Sequence, residues 1–158
     1  MLHPDADVRS NALMALWHSL DARVRSGGSA LDPITHSRAL TLLQATLSEP
    51  DTPAIRAHAA ACLGAMGDRR AVAPLVQLLE RDTDPFVRTL TAFALAKLGD
   101  RSALPALVRM VDRAGDGTPR SAVITAIRAI AEQHGVAAPT DLPDTSRAWG
   151  RFVDEKLR

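Results

Sequence analysis

At 158 residues the chain is long enough for one domain with a sizeable core, and its 3% aromatic content and lack of tyrosine set it apart from aromatic-rich binders. The formal net charge of +1, with cations and anions interleaved, argues against the basic stripe that a dedicated nucleic-acid binder uses to neutralise phosphates. A single cysteine, Cys62, excludes an internal disulfide, and no run approaches the roughly 18 apolar residues of a membrane span.

Ala and Leu dominate the apolar residues, which favours helices over strands. The opening Met1-Leu2-His3-Pro4-Asp5 lacks a basic segment followed by an apolar one, so a soluble, cytoplasmic protein is expected. A repeat already begins at Asp5, which is equally compatible with a piece of a longer or anchored protein. Of the cations only Lys97 and Lys156 are lysines; this bias fits a GC-rich coding genome as well as it fits any function.

In chain order, the first predicted helix spans about residues 6–24. A loop, Arg25-Ser26-Gly27-Gly28-Ser29-Ala30, separates it from a second helix over about 34–48. From Pro53 a helix carries Ile55, Ala59, Leu63 and Met66 on one stripe and stops at Gly67. Asp68 caps the next helix, whose stripe is Val72, Leu75, Leu78 and Leu79; Pro74 lies in its first turns, where a missing N–H does least harm. The pattern then recurs 32 residues on without a gap. Pro53 meets Pro85, Arg56 meets Arg88, Leu63 meets Leu95, Gly67-Asp68-Arg69 meets Gly99-Asp100-Arg101, and Leu75 and Leu79 meet Leu107 and Val111. Forward, Arg88 maps to Arg120, Leu95 to Ile127 and Leu98 to Ile130. Backward, Val72, Leu75 and Leu79 map to Leu40, Leu43 and Leu47. With an insertion of about 15 residues, Val8-Arg9 takes the part of Ile55-Arg56 and Leu16 that of Leu63. The last unit replaces Gly-Asp by Ala131-Glu132 and runs through a connector, Gly135 to Pro143. A final helix from about 144 carries Trp149, Phe152, Val153 and Leu157 on one face, as a cap would.

The expected fold is therefore all-α, a right-handed α-solenoid of about four helical-hairpin repeats in one domain, 1–158. The repeats fall at about 5–50, 51–82, 83–114 and 115–158. A two-helix hairpin of this size cannot bury its apolar face alone, so neighbours stack into a continuous core and the end repeats are modified.

Val87-Arg88, Leu98-Gly99-Asp100-Arg101 and Ala103-Leu104-Pro105, with Ile55-Arg56 and Gly67-Asp68-Arg69, resemble the HEAT-like repeat of the phycobilisome-lyase type. The resemblance is strong over 51–114, moderate over 5–50 and 115–134, and weak beyond. It implies an adaptor or scaffold, with a minority of such proteins attaching bilins, repairing alkylated DNA or using iron for hydroxylation. The iron-binding His-Glu pairs are missing, since none of the histidines at 3, 18, 36, 58 and 134 precedes Glu, and none share a helix at i, i+4 spacing. No nucleophile elbow or phosphate loop appears; Gly27-Gly28-Ser29 and Gly115-Asp116-Gly117 read as turns. Cys62, in an apolar helical run, reads as a buried, inert thiol.

The resulting expectation is a non-catalytic, monomeric protein-interaction scaffold with no metal, no cofactor, no nucleic acid and no membrane partner. In such solenoids the second helices line a concave surface. There Thr41, Gln44, Gln77, Arg81, Arg109 and Arg113 are the candidate partner-binding residues, with Ser48, Glu80 and Asp112 beside them. The insertion Arg23 to Asp32 is a second candidate and Trp149 with Phe152 a third, the latter read first as a cap. Arg56, Arg88 and Arg120, with Asp68 and Asp100, read as a structural ladder between repeats. The alternative function is a lyase-like, bilin-type small-molecule binder of the same family.

Overall fold

The computed structural model describes residues 5–25, 32–48, 52–113, 120–143 and 145–157. Those residues form eight α-helices and no strand: α1 (Ala6–Arg25), α2 (Pro33–Thr46), α3 (Pro53–Met66), α4 (Val72–Arg81), α5 (Pro85–Leu98), α6 (Leu104–Arg113), α7 (Arg120–Gln133) and α8 (Ser146–Lys156). In chain order they fall into four successive two-helix units, written here as hairpins. The first helices, α1, α3, α5 and α7, stack side by side as one layer (the A layer), and each of α2, α4 and α6 packs on the first helix of the next hairpin. Residues 26–31 of the insertion and the predicted turn at Gly115-Asp116-Gly117 lie outside the described residues.

Local chemistry sets these boundaries. Gly67 and Gly99 end α3 and α5 at φ 69° and 64°, the left-handed conformation an L side chain resists. Asp84 caps α5 by accepting from the Phe86 and Val87 N–H groups at 2.8 and 3.2 Å. Asp68 and Asp100 cap by way of a single 3-10 turn each, Arg69–Ala71 and Arg101–Ala103, accepting from Arg70 N–H and Ser102 N–H at 2.9 Å. Those turns satisfy the first orphan donors before α4 and α6 begin, and they place Pro74 and Pro105 inside the first turn of each helix. α7 runs to Gln133, past the Ile130 that matches Leu98. Ala131-Glu132 offers no breaker, and the left-handed stop falls instead at Gly135.

The core runs through the stack from Leu40 and Leu43, through Leu63, Leu75 and Leu79, then Leu95, Leu107 and Val111, to Ile127, Ile130 and Trp149. At the C-terminal end it is closed. Val136, Ala138 and Leu142 of the connector pack against it, Arg128 Nη2 donates to Pro139 O at 3.0 Å, and α8 packs on α6. Trp149 is fully buried, with its ring edge-to-face to Phe152 at 5.8 Å and the Arg128 guanidinium over its face. This pair is a cap, and Trp149 offers no surface to a partner.

Candidate functional site

Two ladders hold the hairpins in register. One runs along the turn within each hairpin. His36 Nε2 meets Asp68 Oδ2 at 3.1 Å, Arg69 reaches Asp100 Oδ2 at 2.8 Å, and His134 Nε2 lies 2.9 Å from Gly99 O. The other runs along the connections between hairpins. Arg56 grips the Asp82 carboxylate with Nε and Nη2 at 2.7 and 3.2 Å, Arg88 Nη1 donates to Asp82 O at 2.9 Å, and Arg120 Nε donates to Val111 O at 3.1 Å. The in-register arginines and Asp68 and Asp100 are thus structural rungs.

Asp82 makes the second ladder pH-sensitive. Burial alone would raise its pKa, but the Arg56 guanidinium and the Asp84 N–H outweigh that and hold it below the ordinary carboxylate range. A lowered folded pKa contributes stability above the unfolded value, and this is lost as pH falls through the folded one. Thermal unfolding midpoints followed from about pH 5 to pH 3 should therefore fall less steeply in Asp82→Asn than in the parent chain. Equal slopes would remove Asp82 from the acid-sensitive set.

The six predicted partner-binding residues lie on α2, α4 and α6. Thr41 is exposed and donates to Ser37 O at 3.0 Å within its own helix. Gln44 is partly buried and donates to Arg70 O at 3.0 Å, tying α2 to the next hairpin. Gln77 and Arg81 are exposed on α4. Arg109 pairs with Glu80, and Arg113 donates to Glu80 O at 3.1 Å, so these three come together across α4 and α6. Ser48 is exposed, whereas Asp112 accepts from Ser146 N–H at 2.9 Å and anchors the start of α8. This side is thus a polar surface partly cross-linked to itself.

The opposite side, the outer face of the A layer, is chemically different. A groove of about 480 Å³ crosses it, lined by Trp17 of α1, Ala61 of α3, Leu90 and Phe93 of α5, and Thr125 and Ala129 of α7. Its floor is low because α3 is buried almost all round, from Ala59 through Ala65, and presents only small side chains. Its walls are tall because the neighbouring helices carry Trp17 and Phe93, the latter 40% exposed. Lys97, at one edge, pairs with Asp21 of α1. Further along the same layer Phe86 is exposed and meets His58 edge-on, and His58 in turn hydrogen-bonds Ser10 Oγ at 3.1 Å. The sequence reading missed this groove. The available signal was that α5 carries large apolar residues all round, Phe86, Leu90 and Phe93 as well as Val87 and Leu95, which a one-sided helix would not need.

Cys62 is buried in α3, donates to Leu13 O at 3.3 Å, and burial pushes its pKa up to about 12, which makes it a core thiol. Among the described residues no group of three His, Cys, Asp or Glu side chains could hold a metal ion. No described helix is long and apolar enough to cross a membrane.

With the hairpins, caps and rungs in place, the comparison with known families is decisive for the fold. The family described as HEAT repeats matches the chain over residues 1–89 and again over 39–128. The chain belongs to the HEAT-repeat family. The two overlapping matches step along the array by roughly one hairpin, as a repeat family requires. Comparison with curated proteins finds no match.

Proposed function

We propose that this HEAT-repeat chain is a non-catalytic protein-interaction scaffold that works as a cytoplasmic monomer and takes another protein across the outer face of its A layer. The observation that carries this reading is the apolar groove walled by Trp17, Leu90 and Phe93, beside the Lys97–Asp21 ion pair. Contiguous exposed apolar surface with a charged edge is the anatomy of an interaction site, and aromatic anchors supply most of the energy in such sites. The ladders support it from behind, because a rigid array presents the groove without an ordering cost at binding. The polar residues Gln77, Arg81, Arg109 and Arg113 supply a second, weaker surface on the other side. The lyase-type resemblance adds nothing to this. The groove is open along one side and its lining includes no thiol.

The test is a pull-down from the native host, followed by titration of each captured protein in purified form. Phe93→Asp is expected to weaken binding at least about tenfold, the size of a hot-spot loss, while the double change Gln77→Ala with Arg109→Ala has little effect. The reverse pattern would move the site to the α2–α4–α6 side. Binding indifferent to both changes would remove the scaffold reading.

A further inference from the structure

α8 departs from the pattern of the other second helices. α4 and α6 run parallel: their starts meet through Arg69 and Asp100, and their ends through Arg113 and Glu80 O. α8 runs the other way along α6. Its first residue, Ser146, donates its N–H to Asp112 in the last turn of α6 at 2.9 Å, while Asp154 and Leu157 at its far end line one groove with Arg101 and Leu104, where α6 begins. Parallel repeats bring equal register positions together and mesh; a reversed helix meets α6 out of that register. The seam stays open as a groove of about 270 Å³, floored by Leu104, Val108, Val153 and Leu157. Gly150 lines it from the middle of α8. A glycine inside a helix weakens that helix, and nothing excludes a side chain here, since a Cβ would meet only Val108 Cγ1, at 3.5 Å. The missing side chain keeps the groove clear. Both walls are helices already packed on each other, so the opening is not a place left for a further hairpin.

Charge along this seam is uneven, although cations and anions are interleaved in the sequence. Arg101 lines the groove at one end. Toward the other end Arg147 and Arg151, four residues apart, form an exposed stripe of α8, one position past the Ser146 and Gly150 that face α6. Among the described residues none of these three guanidiniums has a carboxylate partner. The carboxylates lining the seam are already engaged: Asp112 accepts from Ser146 N–H and Ser146 Oγ, and Asp154 has an interaction of its own. Cations thus stand at both ends of an apolar groove, and a guanidinium fork fits a carboxylate through two parallel hydrogen bonds. α6, with 10 residues, is about 15 Å long. That length is spanned by roughly four or five residues of extended chain.

We propose that the α6–α8 seam binds a short acidic segment of another protein in extended form. One aliphatic side chain of the segment sits over Gly150. Carboxylates on either side of it are held by Arg101 at one end and by Arg147 and Arg151 at the other. The site uses other helices than the A-layer groove and does not depend on it.

The probe is a fluorescein-labelled peptide, Asp-Glu-Leu-Glu-Asp, titrated with the full chain and followed by anisotropy. Saturable binding with a Kd below about 1 mM is expected at ~0.05 M salt, weakening about tenfold by ~0.5 M. Arg101→Glu alone, and Arg147→Glu with Arg151→Glu, should each weaken it at least about fivefold. These side chains are exposed, so both variants should keep the parent's circular dichroism and unfolding midpoint. Gly150→Leu fills the groove without touching a charge and should weaken binding at least about tenfold. A probe with serine in place of its leucine should lose as much on the parent chain, which tests the groove without altering the fold. No saturation at roughly 1 mM, or binding indifferent to the arginine variants, overturns the proposal. So does binding that survives both Gly150→Leu and the serine probe. Duplex DNA that binds more tightly than the peptide, and is lost in the Arg147→Glu, Arg151→Glu variant, also overturns it, because the arginines would then serve phosphates.

Discussion

Leu79→Ala is expected to lower the unfolding free energy by about 2–5 kcal/mol, the range found when a buried leucine is truncated and the cavity only partly closes. Leu79 is fully buried in the last turns of α4 and belongs to the continuous core, with Leu47 and Val111 at the same position in the hairpins on either side. The upper half of the range is favoured by its surroundings. α4 packs mainly on α5, and Leu75, Leu95 and Leu107 of the same core are themselves fully buried, so little can move in to fill the space. In a solenoid each hairpin is stable largely through its interfaces, so a defect in a central one weakens coupling in both directions. For a chain of this size the midpoint should drop by roughly 5–15 °C. Thermal or urea denaturation checks this, and a loss below about 1 kcal/mol would place Leu79 outside the load of the core.

The comparison with the exposed ladder is instructive. Arg69 and Asp100 meet at 2.8 Å, but the arginine side chain is 72% exposed, so the pair contributes little beyond fixing the angle between hairpins. The Arg56–Asp82 pair, with side chains 17% and 4% exposed, is the rung whose loss would be felt. Hydrophobic stacking holds the array together, and the rungs choose its register.

What was legible in the sequence follows from how local each signal is. Gly67, Gly99, Pro53 and Pro85 act on their own backbone, so helix ends could be read directly, and the 32-residue spacing of Leu63 and Leu95 specified the stack. The cap at Trp149 was readable because Phe152 and Val153 share its face. The last unit lacks the Gly-Asp stop, so the end of α7 had to be read from Gly135 instead, where the left-handed residue does fall. Surface chemistry was harder. Gln44, Arg109 and Arg113 look free in the sequence, but their partners, Arg70 O and Glu80, lie 26 to 33 residues away. The groove on the A layer depends on a difference in height between α3 and its neighbours. That height is set by helix packing distance and is not visible in any single helix.

The same packing distance makes a second strong prediction, in which two principles point opposite ways. Gly64 sits in the interior of α3, where replacing glycine by alanine normally favours the helix by about 1 kcal/mol. Here a Cβ would lie 2.6 Å from Ala94 Cα, 2.8 Å from Ala94 Cβ and 3.1 Å from Ala94 O. Two of those three atoms are main chain, so no side-chain rotation relieves the contact; α5 must move away from α3. These two helices share the most extensive helix–helix interface in the described structure, so a displacement there loosens Leu63 and Leu95 as well. Overpacking of this kind costs about 1–3 kcal/mol, and the backbone contact puts the site at the high end, enough to outweigh the propensity gain. Gly64→Ala is therefore expected to be destabilising by about 1–2 kcal/mol, and Gly64→Val, with two further methyls and a β-branch, by more than about 3. Denaturant unfolding of both variants decides it. If Gly64→Ala raises the midpoint, α5 yields easily, and the low floor of the A-layer groove is then a soft feature that a partner can deepen.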